Sequence, residues 1–91
     1  MADLTASDFA EGQHYDVAVG ETVLKLVVQR VQPLEQAIRA AGGFRLEFLG
    51  PADPILPQAI YPFAGQGETK EIFIVPIGRS DAGTQYEAIF N

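Results

Sequence analysis

Ninety-one residues, 47% of them hydrophobic, suffice for one globular domain, residues 1–91, whose core removes only about 60% of the unfolded surface from water. No cysteine is present, which excludes disulfides, thiolate metal sites and cysteine nucleophiles together. Twelve acidic against six basic residues leave a net charge of −6 with the bases scattered singly, which argues against nucleic acid and anionic membranes as partners, since both need clustered cations.

In chain order, Thr5 and Asp8 stand at capping-box spacing, so residues 7–11 are expected as a helical turn closed by Gly12, with Phe9 packed on the body. Tyr15, Val17 and Val19 alternate with His14, Asp16 and Ala18, the period of a half-buried strand over 13–19. Gly20-Glu21 has the Gly-X form of a type II′ hairpin turn. The next strand, 22–31, puts Leu24, Leu26 and Val28 on one face. Val31 falls out of that phase, which predicts a bulge near Gln29 or Arg30. Pro33 is expected to end the strand and open a helix over 34–41, with a loop as the alternative.

Phe44, Leu46 and Phe48 alternate with Arg45 and Glu47, a strand stopped by Gly50-Pro51. Residues 51–58 carry Pro51, Pro54 and Pro57 and read as an extended surface connection. Residues 60–63 form a short strand limited by Pro62, and 64–69 a Gly-rich turn. The chain closes on a hairpin of 70–77 and 84–91 joined by residues 79–83. Its first strand is apolar on both faces, Ile72 and Ile74 on one, Phe73, Val75 and Ile77 on the other. Cover on both sides is therefore expected, from 34–41, from the proline-rich segment or from another subunit. Pro76 marks an edge or a bulge. The fold class that follows is all-β and mainly antiparallel: a small, partly open β-barrel or sandwich of five to six strands with one or two short helices.

Reactive constellations are sparse. His14 is the only histidine and reads as an outward strand residue, while Ser7 and Ser80 lie in no nucleophile elbow. Asp81 sits in a plain hairpin loop without the alternating acids of a calcium site. Glu71 and Glu87 could face each other across the closing hairpin, but like charges opposite one another oppose folding. Glu71 is better paired with Lys70 or Lys25, or solvated. Gly65-Gln66-Gly67 and Gly42-Gly43 lack the helix and Lys-Ser/Thr of a phosphate loop. No catalytic, cofactor or metal residue is assigned, and an enzyme is not expected. Most aromatic residues are core. The sharper reading is an exposed aromatic patch from Tyr61, Phe63 and Phe73, rimmed by the proline-rich run; it makes Ile55, Leu56, Tyr61, Phe63, Phe73 and Val75 the candidate interaction residues.

Gly50-Pro51, Leu56-Pro57-Gln58 with Ile60-Tyr61, the run from Ile72 to Gly78 and the ending Tyr86-Glu87-Ala88-Ile89-Phe90-Asn91 resemble a family of small bacterial proteins catalogued as a domain of unknown function. Phe9 with Gly12 and the strand from Phe44 to Phe48 extend the likeness over nearly the whole chain. The resemblance implies a place beside phage-tail-collar-type proteins, hence near a tail-fibre-like assembly, and it carries over no catalytic residue. The expectation is a non-enzymatic interaction or structural module with a protein partner or a second copy of itself. The alternative is a small-molecule or carbohydrate binder using a barrel mouth lined by Tyr61, Tyr15 or Tyr86. With no signal peptide at residues 1–5 and no apolar run near the ~20 residues that span a bilayer, a cytoplasmic location is expected.

Overall fold

Period-two patterning becomes strand wherever a neighbouring strand takes up the backbone donors. The computed structural model describes residues 4–34 and 43–90. A 3-10 turn at Ala6–Asp8 is followed by β1 (His14–Val19), β2 (Thr22–Leu34), β3 (Gly43–Gly50), β4 (Ala59–Gly65), β5 (Glu68–Ser80) and β6 (Gly83–Phe90). All neighbours are antiparallel, in the order β1-β2-β3-β6-β5-β4 with β4 returning to β1. The result is a closed ring of hydrogen-bonded strands, short of a regular barrel because two ladders are partial. β4 meets β1 only at Asp16↔Ala64 and Val17↔Phe63. β5 meets β6 only from Val75↔Glu87 to Ser80↔Gly83.

The turns follow their residue chemistry. Gly20 has φ 60° and Glu21 stays at negative φ, the II′ arrangement. Gln66 and Gly67 both have positive φ, 55° and 81°, as a type I′ turn between β4 and β5 requires. The predicted bulge sits at Gln29, between the pairs Val28↔Phe48 and Arg30↔Glu47. A second lies at Ile77, just after Pro76.

Several expectations need correction. The N-terminal turn is shorter and earlier than 7–11, held by the Thr5 N–H donating to Asp8 Oδ2 at 2.7 Å. β2 does not stop at Pro33, which pairs with Phe44. Beyond Val27 the β1 ladder has ended, so among the described residues β2 keeps one strand neighbour there, and a nitrogen without hydrogen can face the open side at no loss. Leu34 is strand, and the rest of the helix expected over 34–41 lies outside the described residues. Pro62 likewise interrupts nothing between β4 and β5, where it pairs with Glu71.

The interior is packed with side chains: Tyr15, Tyr86, Phe44, Phe48, Phe63, Leu26, Leu46, Ile72 and Ile74 are all essentially inaccessible. Phe9 caps one part of this core, its ring 6.0–6.3 Å from those of Tyr15, Phe44 and Phe90. The segment 51–58 is more than a surface connection. Leu56 is buried, and its N–H donates to the Tyr86 hydroxyl at 2.9 Å. The Tyr61 hydroxyl donates to the Pro57 carbonyl at 2.7 Å. The Asp53–Pro54 peptide is cis.

Gly83 has φ +137°, and a Cβ there would stand 2.0 Å from the Gly50 carbonyl oxygen. Gly12 has φ +90° with nothing within 4 Å. Gly83→Ala should therefore cost on the order of 3 kcal/mol, backbone strain plus a backbone clash, against about 1 kcal/mol for Gly12→Ala. Urea denaturation of both variants checks this; equal losses would contradict it.

Candidate interaction surface

Cross-strand partners share a face of a sheet, so the register decides which side chains reach solvent. In the β4–β5 hairpin Tyr61 pairs with Ile72 and Phe63 with Lys70, while Ile60 pairs with Phe73. The first four point inward and the last two outward. Phe63 is wholly buried, its ring 4.9 Å from Phe48, and Tyr61 is half-buried against the core. A patch uniting Tyr61, Phe63 and Phe73 is therefore not formed. Of the six candidate residues, Phe73 (49% exposed) and Ile55 (40%) are open, Val75 and Tyr61 are half-buried, and Leu56 and Phe63 are inside.

The outward face of this hairpin is nonetheless apolar. Ile60 is 64% exposed, directly opposite Phe73, and Ile89 is 56% exposed on β6. Val75 faces Glu87; stepping two residues along each strand from that pair brings Phe73 and Ile89 onto the same wall. Ile77, 45% exposed, continues β5 beyond Val75. Phe73 and Ile77 thus remain about half exposed among the described residues. The proline-rich segment covers the interior instead, and 35–42 lie outside the described residues. Sequence reading missed Ile60 and Ile89. The signal for Ile60 was present, since it stands out of phase with Tyr61 and Phe63.

An open cleft of about 1030 Å³ runs beside the patch, with Ile60, Phe73, Leu4, Asp8, Glu68 and Glu71 among its lining. Lys70 also borders it, though buried, with its Nζ 2.5 Å from Glu68 and 5.7–5.8 Å from the Phe9 and Tyr15 rings. A buried ammonium is tolerated only with such compensation. Lys70 therefore takes Glu68 rather than Glu71 as its partner. Glu71 is exposed and faces Pro62.

Glu71 and Glu87 do not face each other. Glu87 is opposite Glu47 across β3–β6 and opposite Val75 across β5–β6. The facing carboxylates of Glu47 and Glu87 are bridged by Arg45, whose Nη1 donates to Glu47 and whose Nε donates to Glu87. Hydrogen bonds to Glu47 and then Glu87 hold the guanidinium pKa above its ordinary value. Arg30 lies 3.8 Å from Glu47 as a weaker fourth member. His14 is exposed, Asp81 lies in the β5–β6 turn, and among the described residues no three potential ligands converge on a metal position.

Of the tyrosines expected at a barrel mouth, Tyr15 and Tyr86 are engaged inside, while Tyr61 is half-buried. Tyr86 accepts from Leu56, and the Tyr15 hydroxyl donates to Gln13 Oε1 at 3.3 Å. Burial is the main cause that raises the Tyr15 pKa; Lys70 lowers it, and Glu68 and Asp8 raise it.

Two outcomes follow from these electrostatics. Arg45→Met should cost about 2 kcal/mol, since it leaves two half-buried carboxylates facing each other. Glu87→Gln in that background should recover part of the loss, a non-additivity that a denaturation cycle measures. Because the folded Tyr15 pKa lies above the ordinary value of 10.0, its contribution to stability is whole below that pH and is lost as pH rises through the folded value. Tyr15→Phe should accordingly flatten the alkaline fall of the melting temperature, and an unchanged slope would contradict the assignment.

Comparison with curated proteins and with solved structures returned no match. A family model described as a domain of unknown function, DUF6916, matches residues 4–90. With that match running over the ring from end to end, the chain belongs to the DUF6916 family.

Proposed function

We propose that this domain is a non-enzymatic interaction module that holds a protein partner on the outer wall of β4, β5 and β6, as an accessory of a phage-tail-like or surface assembly. The observation that carries the reading is the exposed Ile60–Phe73 pair, held on paired strands beside an open cleft. Large apolar side chains placed together on paired strands need no ordering of their backbone when a partner covers them, which favours binding. The assembly context rests on the family resemblance alone. A binder using the barrel mouth has less support, because Tyr15 and Tyr86 are inaccessible and their hydroxyls already have partners.

The test is recovery of partners from the native cell by the wild-type chain, by Phe73→Asp with Ile60→Asp, and by Val23→Asp. Val23 is 62% exposed on β2, outside the three strands of the proposed wall. Loss of a partner with the double variant and its retention with Val23→Asp is expected, with melting temperatures of all three alike. Equal recovery by all baits would overturn the reading.

A further inference from the structure

β5 is paired with β4 along its whole first half, from Ala59↔Ile74 to Gly65↔Glu68. Its ladder with β6 begins only at Val75. Among the described residues no strand is paired with the other edge of β5 over Glu68–Ile74, and the cleft lies beside those residues. We infer that this slot receives an extended, basic segment of the partner protein as an added β-strand pairing with β5. The inference rests on the interaction-module reading and specifies how the partner is held.

Two prolines fix the direction of the backbone groups. Pro62 pairs with Glu71, and Pro76 pairs with Tyr86, each with its preceding pair in unbroken register. A proline keeps its place in a ladder where its nitrogen points away from the neighbour, that is, in a non-hydrogen-bonded pair. Pro62–Glu71 is such a pair, so the Glu71 N–H and C=O turn away from β4 and into the slot. Pro76–Tyr86 is another, which makes Val75–Glu87 the bonded pair with β6. Counting back by twos from Val75 gives Phe73, Glu71 and Thr69 on the same side. Both prolines therefore assign the slot-facing groups to the same three residues. The same rule explains why the β1–β4 ladder ends at Phe63: the next donor owed to β1 is the one Pro62 lacks.

Charge names the occupant. Asp8, Glu68 and Glu71 line the cleft; Lys70 offsets Glu68 within the molecule, so Asp8 and Glu71 set its net negative charge. A second copy, itself at −6, is disfavoured. A strand with Lys or Arg beside Glu71 and an apolar residue beside Phe73 satisfies both the unused edge and the acidic rim.

The probe is a short synthetic peptide alternating Lys and Val, titrated into the isotope-labelled full chain. Amide-exchange protection is expected at Thr69, Glu71 and Phe73 but not newly at Lys70 and Ile72. A Glu/Val peptide should bind at least about tenfold more weakly, as should Glu71→Lys toward the Lys/Val peptide. N-methylation of the peptide amides that face β5 should abolish protection with charge unchanged. Binding without the alternating protection, or indifferent to N-methylation, would overturn strand addition. So would protection of the same amides by concentration-dependent dimerisation alone. If the outer-wall variant loses its cellular partner while the peptide leaves these amides unprotected, the strand proposal fails and the broader reading stands.

Discussion

Among the described residues, the two residue pairs that join β1 to β4 carry the closure of the ring. Val17 and Phe63 form one of them, and both side chains are fully buried. Phe63 also packs its ring 6.0 Å from Tyr15 and 4.9 Å from Phe48. The seam is therefore held from inside, by dispersion and loss of hydration, more than by its few backbone bonds. Pro62 sets its length. Moving that proline would change how far the ring closes, and with it the width of the interior.

A six-stranded ring this small has room inside for side chains and little else. Its open ends are managed by chain that is not strand. Phe9 lies over Tyr15, Phe44 and Phe90, while the Gly12 N–H donates to the Val28 carbonyl and the Val28 N–H to Gln13. Leu56 enters the core as part of the proline-rich segment and satisfies its own N–H on the Tyr86 hydroxyl. With the interior filled and the ends tied down, recognition under the proposed reading would fall to the outer wall. One part of that wall, around Arg45, Glu47 and Glu87, is already neutralised within the molecule. The wall around Phe73 is not.

That division gives the functional reading its shape. The β4–β5 hairpin is anchored to β1 at its tip and to β6 at its base, and between those anchors no described strand pairs with one edge of β5. Proteins usually blunt such an edge with charge or proline, because unpaired backbone groups recruit other strands. Here the prolines sit so that their missing donors face elsewhere, and the charge beside the edge is acidic. Both features admit a basic strand and repel a copy of the chain itself.

Much of the fold was legible in the residues. Alternation in 14–19, 22–28 and 44–49 marked strands and their buried faces. Gly20-Glu21 marked a II′ turn, and the phase slip at Val31 marked the bulge found at Gln29. The apolar character of both faces of 71–77 was equally plain. Only the tertiary structure decided which strands pair, and from that came everything about the surface: Ile60 beside Phe73, Phe63 inside, Leu56 buried, Glu87 across from Glu47 instead of Glu71. The physical reason is that a period of two says which side chains share a face but not what lies opposite them. Opposition is set by ladders between residues far apart in the chain, and a proline reads as a break until it is known which neighbour its nitrogen faces.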